Sequence, residues 1–163
     1  MNAEDVLEFW FAGDPTRWRQ QRWFERDDAF DAEITRRFAL AVEAARDGAL
    51  DSWAATPPGA LALVITLDQF PRNMFRGSHL AFAGDGHARR IARAALPWAG
   101  GLTPVQRVFL YLPFEHSEEL ADQDRSVALF ESLHGQGAVA TTIAYAHRHR
   151  GVIARFGRLR HRN

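Results

Sequence analysis

The sequence predicts an all-α fold: a single-domain antiparallel helical array of about seven helices spanning residues 1–163. Three observations carry that reading. Apolar residues recur at spacings of three and four, which is the period of a helix face. Helix-start signals stand ahead of those stripes at Thr56-Pro57-Pro58 and at Thr103-Pro104-Val105-Gln106. Almost no stretch alternates apolar and polar residues as a half-buried strand does.

The elements follow in order. Residues 4–11 carry two acids in their first turn, where a helix N-terminus favours negative charge, and Gly13-Asp14-Pro15 breaks the chain after them. Phe30, Ile34, Phe38, Ala41, Val42 and Ala45 form one stripe, closed by Asp47-Gly48. Residues 59–70 are apolar on nearly every side, so that helix belongs at the centre, and Pro71 is expected to end it. Residues 85–96 form a short Arg-faced helix. The helix opened by Thr103 should kink or split at Pro113. A final helix covers roughly 138–155, with Gly157 at its C-terminal stop. The Trp, Leu-Gly and Tyr spacing of a tetratricopeptide unit does not recur.

Composition excludes several classes. There is no cysteine, so disulfide frameworks, thiolate nucleophiles and Cys-based metal sites are out. No apolar run approaches the ~20 residues of a membrane span. Two acids in MNAEDVLEFWF stand where a signal peptide needs basic residues, so a soluble cytoplasmic protein is expected, with no membrane partner. Hydrophobic residues make up 47% of the chain, which rules out disorder. The charge is balanced but uneven. All basic residues are Arg, and residues 132–163 hold six of them with no acid, against 14 Arg and 20 acids before that point. A nucleic-acid face would want a surplus of basic charge, and a pI near 7.1 argues against one.

Polar side chains interrupt three apolar stripes: Asp68 after Leu61, Val64 and Ile65; His116 and Gln123 within Phe109, Leu112, Leu120, Val127 and Phe130; and His149 within Val139, Ile143, Ala146, Ile153 and Phe156. A buried polar group costs ~1–3 kcal/mol unless it finds a partner, so a shared network is expected, with Asp68 fixing the tautomer of one histidine. Taken singly, each histidine is ordinarily a satisfied core hydrogen bonder. Three segments add unusual chemistry. Asp68–Gly77 sets Arg72, Asn73 and Arg76 beside a buried helix end, with both arginines expected to project. Tyr111–Glu118 places Glu115 and Glu118 one turn apart next to His116. Arg155–Asn163 gathers Arg155, Arg158 and His161 around a helix stop. Each admits a plainer account: surface arginines, a solvated acidic face, or C-terminal arginines paired with those acids.

At these segments the chain resembles a bacterial family, the one filed as domain of unknown function 924. LDQFPRNMFRG, YLPFEHSE, RFGR and HRN carry the resemblance, together with VLEFWF, the Trp23–Asp31 stretch and the LALVITLDQF helix. The resemblance implies an all-α, tetratricopeptide-like fold and no assigned activity. Arg160 stands where the family pattern is expected to carry a proline, which loosens the placement of His161.

Three functions are carried forward. The first is binding of a small anionic ligand, with Asp68, Arg72, Asn73, Arg76, Glu115, His116, Glu118, His149, Arg155, Arg158 and His161 as candidate ligand-binding residues. Among them, His116, Glu115 and His149 are the candidates for acid–base catalysis. The second is an adaptor whose Arg-rich end captures an acidic peptide. The third and weakest is a metal-assisted hydrolase using His116, His149 and Asp68, although no HExxH or similar ligand spacing appears. No cofactor is indicated.

Overall fold

A computed structural model describes residues 1–136 and 139–159. The described residues form an all-α array: α1 (Ala3–Phe11), α2 (Gln20–Phe24), α3 (Asp28–Arg46), α4 (Pro57–Val64), α5 (Phe70–Met74), α6 (Asp85–Ala95), α7 (Pro104–Glu115), α8 (Leu120–Glu131) and α9 (Thr141–Phe156), with short 3₁₀ turns between. The expected start signals act as read. Thr103 accepts from the Gln106 amide while the Gln106 side chain accepts from the Thr103 amide, and the Thr56 hydroxyl accepts from the Gly59 amide. Gly157 closes α9 at φ 71°.

The central helix departs from expectation. Pro71 does not end it. α4 runs into a π turn over Ile65–Gln69, where the Phe70 amide bonds to the Ile65 carbonyl, and then into α5. The wider turn resets the ladder, so Pro71 falls in the first turn of α5, where a missing N–H costs least. Pro113 likewise lies inside α7, and the chain breaks after it, at residues 116–119. α2 was invisible to periodicity because five residues are too few to repeat a stripe.

The core surrounds α4, every residue of which from Gly59 to Val64 is buried. Beside it lies an aromatic cluster: Phe109 meets Trp23 at 4.8 Å and Trp10 at 5.4 Å, both edge-on. The outer edge of that cluster, Trp18, Trp23 and Phe24, forms one side of a cleft whose other sides come from α5, α7 and α9. Phe156, expected on the core stripe of α9, is instead 57% exposed. Among the described residues no helix is long and apolar enough to cross a membrane.

Candidate functional site

The site grows from the π turn. Asp68 is fully buried, and its carboxylate is engaged on both oxygens. Oδ1 accepts from His116 Nδ1 at 2.8 Å, and Oδ2 accepts from Gln69 Nε2 at 2.8 Å. Arg72 Nη1 reaches the Asp68 carbonyl at 2.6 Å and Oδ1 at a longer 3.4 Å. The stronger hold on Arg72 comes from α6: Asp85 takes its guanidinium in a fork at 2.8 and 3.0 Å. Burial pushes the Asp68 carboxyl up, but His116 and Arg72 outweigh it and hold the group well below the usual carboxylate range. A carboxylate can only accept, so Asp68 fixes the proton of His116 on Nδ1. That is the tautomer-holding role expected from the interrupted stripes.

Glu115 ends α7 one residue before His116, and its side chain is 6% exposed. Burial is the main reason its carboxyl is pushed up to about 8; the negative charge of Asp68 adds to this and Arg72 opposes it. His149, from α9, lies 4.0 Å from Glu115, measured Nδ1 to Oε2. Its Nδ1–H donates to the Tyr145 carbonyl at 2.9 Å, which leaves the ring's lone pair on Nε2. Burial depresses the His149 pKa, and the neighbouring His116 lowers it further. At neutral pH the two groups therefore face each other uncharged, an acid that holds its proton and a base that has released one.

Both border a cavity of about 430 Å³. Its polar wall carries Gln69, Arg72, Asn73, Glu115, His116 and His149, and its apolar wall includes Trp18, Trp23, Phe24 and Tyr145. Arg76 reaches the cavity already committed, its fork closed on Asp31 at 2.9 and 3.0 Å, and Asn73 donates to the same carboxylate at 2.8 Å.

The structure thus brings together Asp68, Arg72, Asn73, Arg76, Glu115, His116 and His149. Arg72 was expected to project; it is instead largely buried between two carboxylates. The solvated-face account of the acids holds for Glu119, which is exposed, and fails for Glu115 and Asp122. Glu115 is buried, and Asp122 is buried against Arg89 and Arg93. Glu118 does not line the cavity but accepts from the Leu159 amide at 2.6 Å, tying down the chain after α9. Arg155 and Arg158 are exposed and lie outside the cavity lining, and His161 falls outside the described residues. Among the described residues no group of three or more His, Asp or Glu side chains is arranged to hold a metal ion. His116, His149 and Asp68 are no exception: both carboxylate oxygens of Asp68 are already taken, by His116 and by Gln69.

Sequence reasoning missed Asp31 and Asp85, the partners of the two arginines. Asp31 stood in a recognised stretch, as an acid in the first turn of a helix. Asp85 gave no signal, because 13 residues separate it from Arg72 and only the fold joins them. The aromatic wall was also missed: Trp18, Trp23 and Phe24 come from a segment without helical periodicity.

A solved protein of unknown function from Agrobacterium tumefaciens has the same architecture. It superposes with a TM-score of 0.87 at 39% sequence identity, over 99% of this chain and 87% of its own. No curated protein matches the chain. The signature segments that build the cavity wall lie within a match that runs from residue 6 to residue 163, and on that evidence the chain belongs to the bacterial proteins of unknown function grouped as DUF924.

Proposed function

We propose that the cavity binds a small molecule and moves protons on it, with Glu115 as general acid, His149 as general base, and His116 oriented by Asp68. The observation that carries this reading is the opposed pair. Two titratable groups 4.0 Å apart are driven in opposite directions by their surroundings, at the wall of a cavity of ligand size. Ordinary surface pairs drift toward charge; this pair drifts away from it. A carboxyl that holds its proton near neutral pH can donate it, and an imidazole with Nε2 unprotonated can accept one. The cavity supplies the desolvated surroundings in which such transfers gain most.

The arginine set expected to hold an anion does not assemble here. Arg72 and Arg76 are neutralised by Asp68, Asp85 and Asp31, and Arg155 and Arg158 lie elsewhere. The reading therefore rests on the acid–base pair rather than on the arginines. Its test is a turnover screen of small-molecule mixtures against the wild type, Glu115→Gln and His149→Gln, each shown folded by its amide spectrum. The expected result is a substrate whose turnover falls about 10²-fold or more in both variants. Turnover of that substrate unchanged in both would remove the pair from the chemistry.

A further inference from the structure

The polar wall also restricts what kind of group can sit against it. An anion would need a cation whose charge is unbalanced, and the charge of both arginines of the wall is already met: Arg72 by Asp68 and the Asp85 fork, Arg76 by the Asp31 fork. A cation would need an ionised carboxylate. Behind the polar wall, Asp31 and Asp68 are occupied by the protein's own donors, and Glu25, the other acid of the lining, is exposed to water at the end of α2, on the aromatic side. Glu115, the buried acid of the lining, faces a neutral His149 at 4.0 Å rather than a cation that would ionise it. What Glu115 presents instead is a carboxylic acid: one O–H donor beside one C=O acceptor in a single plane. The opposite wall is aromatic, and Phe24 and Tyr145 remain 45% and 46% exposed at the cleft, with the Arg148 guanidinium 5.1 Å from the Tyr145 ring centre. Flat apolar surface left open beside a buried donor–acceptor unit suits a flat ligand with one polar edge.

We propose that this site takes an uncharged planar molecule bearing an amide-type edge, a carboxamide or the lactam edge of a nitrogen heterocycle, paired edge to edge with the Glu115 carboxyl and stacked against the Trp18–Phe24–Tyr145 side. The amide N–H donates to the Glu115 carbonyl oxygen, the Glu115 O–H donates to the amide oxygen, and no charge is buried. This names the ligand class for the proton-transfer site proposed above and rests on that reading.

Three probes of one shape and different charge test it: benzamide, benzoate and benzamidinium, titrated against the full chain at pH 7 while the Tyr145, His149 and Glu115 resonances are followed. Benzamide is expected to shift those resonances and to bind about ten-fold tighter than either charged probe. Its affinity is expected to fall between pH 7 and pH 9 as Glu115 ionises, while that of benzamidinium rises. Glu115→Gln, which keeps a planar donor–acceptor unit, should still bind benzamide but lose the pH dependence. Tighter binding of benzoate or of benzamidinium at pH 7 would overturn the proposal. So would the absence of shifts from all three at millimolar concentration. The Glu115 and His149 titrations of the ligand-free protein separate this failure from failure of the acid–base reading. With those midpoints displaced and benzoate the better ligand, the ligand class falls and the acid–base pair stands. With ordinary midpoints, both fall.

Discussion

Glu115 shows at the scale of one residue how a fold sets chemistry. In the unfolded chain its carboxyl loses its proton at the ordinary value near 4.5, whereas in the folded protein it keeps the proton to about 8. At this position the folded form thus binds an extra proton across that window, and the stability that Glu115 contributes falls as pH rises from roughly 5 to 8, then levels off. Glu115→Gln removes the titration. Its thermal stability relative to wild type is expected to be higher at pH 9 than at pH 5, by on the order of 3 kcal/mol. Equal differences at both pH values would show that position 115 carries no such proton. Asp68 has the opposite role, a buried charge that other charges require. Asp68→Ala leaves Arg72 and His116 facing each other without their shared anion and should cost about 3–5 kcal/mol in chemical denaturation. A loss below about 1 kcal/mol, the range of an exposed pair, would mean that the network contributes little to the fold.

At the scale of elements, the π turn and the start of α6 form a single joint. A Cβ on Gly84 would stand 2.5 Å from the Leu67 carbonyl oxygen, a backbone atom that cannot swing aside. The close approach brings Asp85, the next residue, within reach of Arg72 on α5. Gly84→Ala must push α6 off the central helix, with an expected cost of about 1–3 kcal/mol and loss of the Asp85–Arg72 fork. Unchanged stability, or an intact fork in a crystal structure of the variant, would contradict this. Thr103 tests a different joint. It caps α7 and its hydroxyl also donates to the Pro15 carbonyl at 2.6 Å, across 88 residues of sequence. Thr103→Ala should cost about 1–2 kcal/mol in thermal denaturation, at the upper end for a cap; a negligible loss would leave the second bond without energetic weight.

At the scale of the whole molecule, what could be read in the sequence divides along physical lines. Local periods and caps are encoded within a few residues, so the helical array, the Thr56 and Thr103 caps and the Gly157 stop were legible. Interrupted stripes also pointed to Asp68, His116 and His149, because a polar group on a core face demands a partner wherever the partner lies. Pairing between distant elements was not legible. Nothing near Arg72 or Arg76 announces Asp85 or Asp31, so the arginines read as free cations for a ligand when they are internal counter-ions. The π turn was hidden too, since a one-residue change of helical register leaves no compositional mark and makes Pro71 look like a terminator. The basic C-terminal charge resolves only in part: Arg150 pairs with Asp124 at 2.6 Å, while Arg155 and Arg158 face solvent. The central claim is that the fold assembles an uncharged acid–base pair on the wall of its cavity. Nuclear magnetic resonance titration of the Glu115 side-chain carboxyl and the His149 ring, in the ligand-free full chain, tests it most directly. The account predicts a Glu115 midpoint near 8 and a His149 midpoint below the ordinary histidine value. A Glu115 carboxyl that titrates near 4.5, beside a histidine that is charged at pH 6, would contradict it.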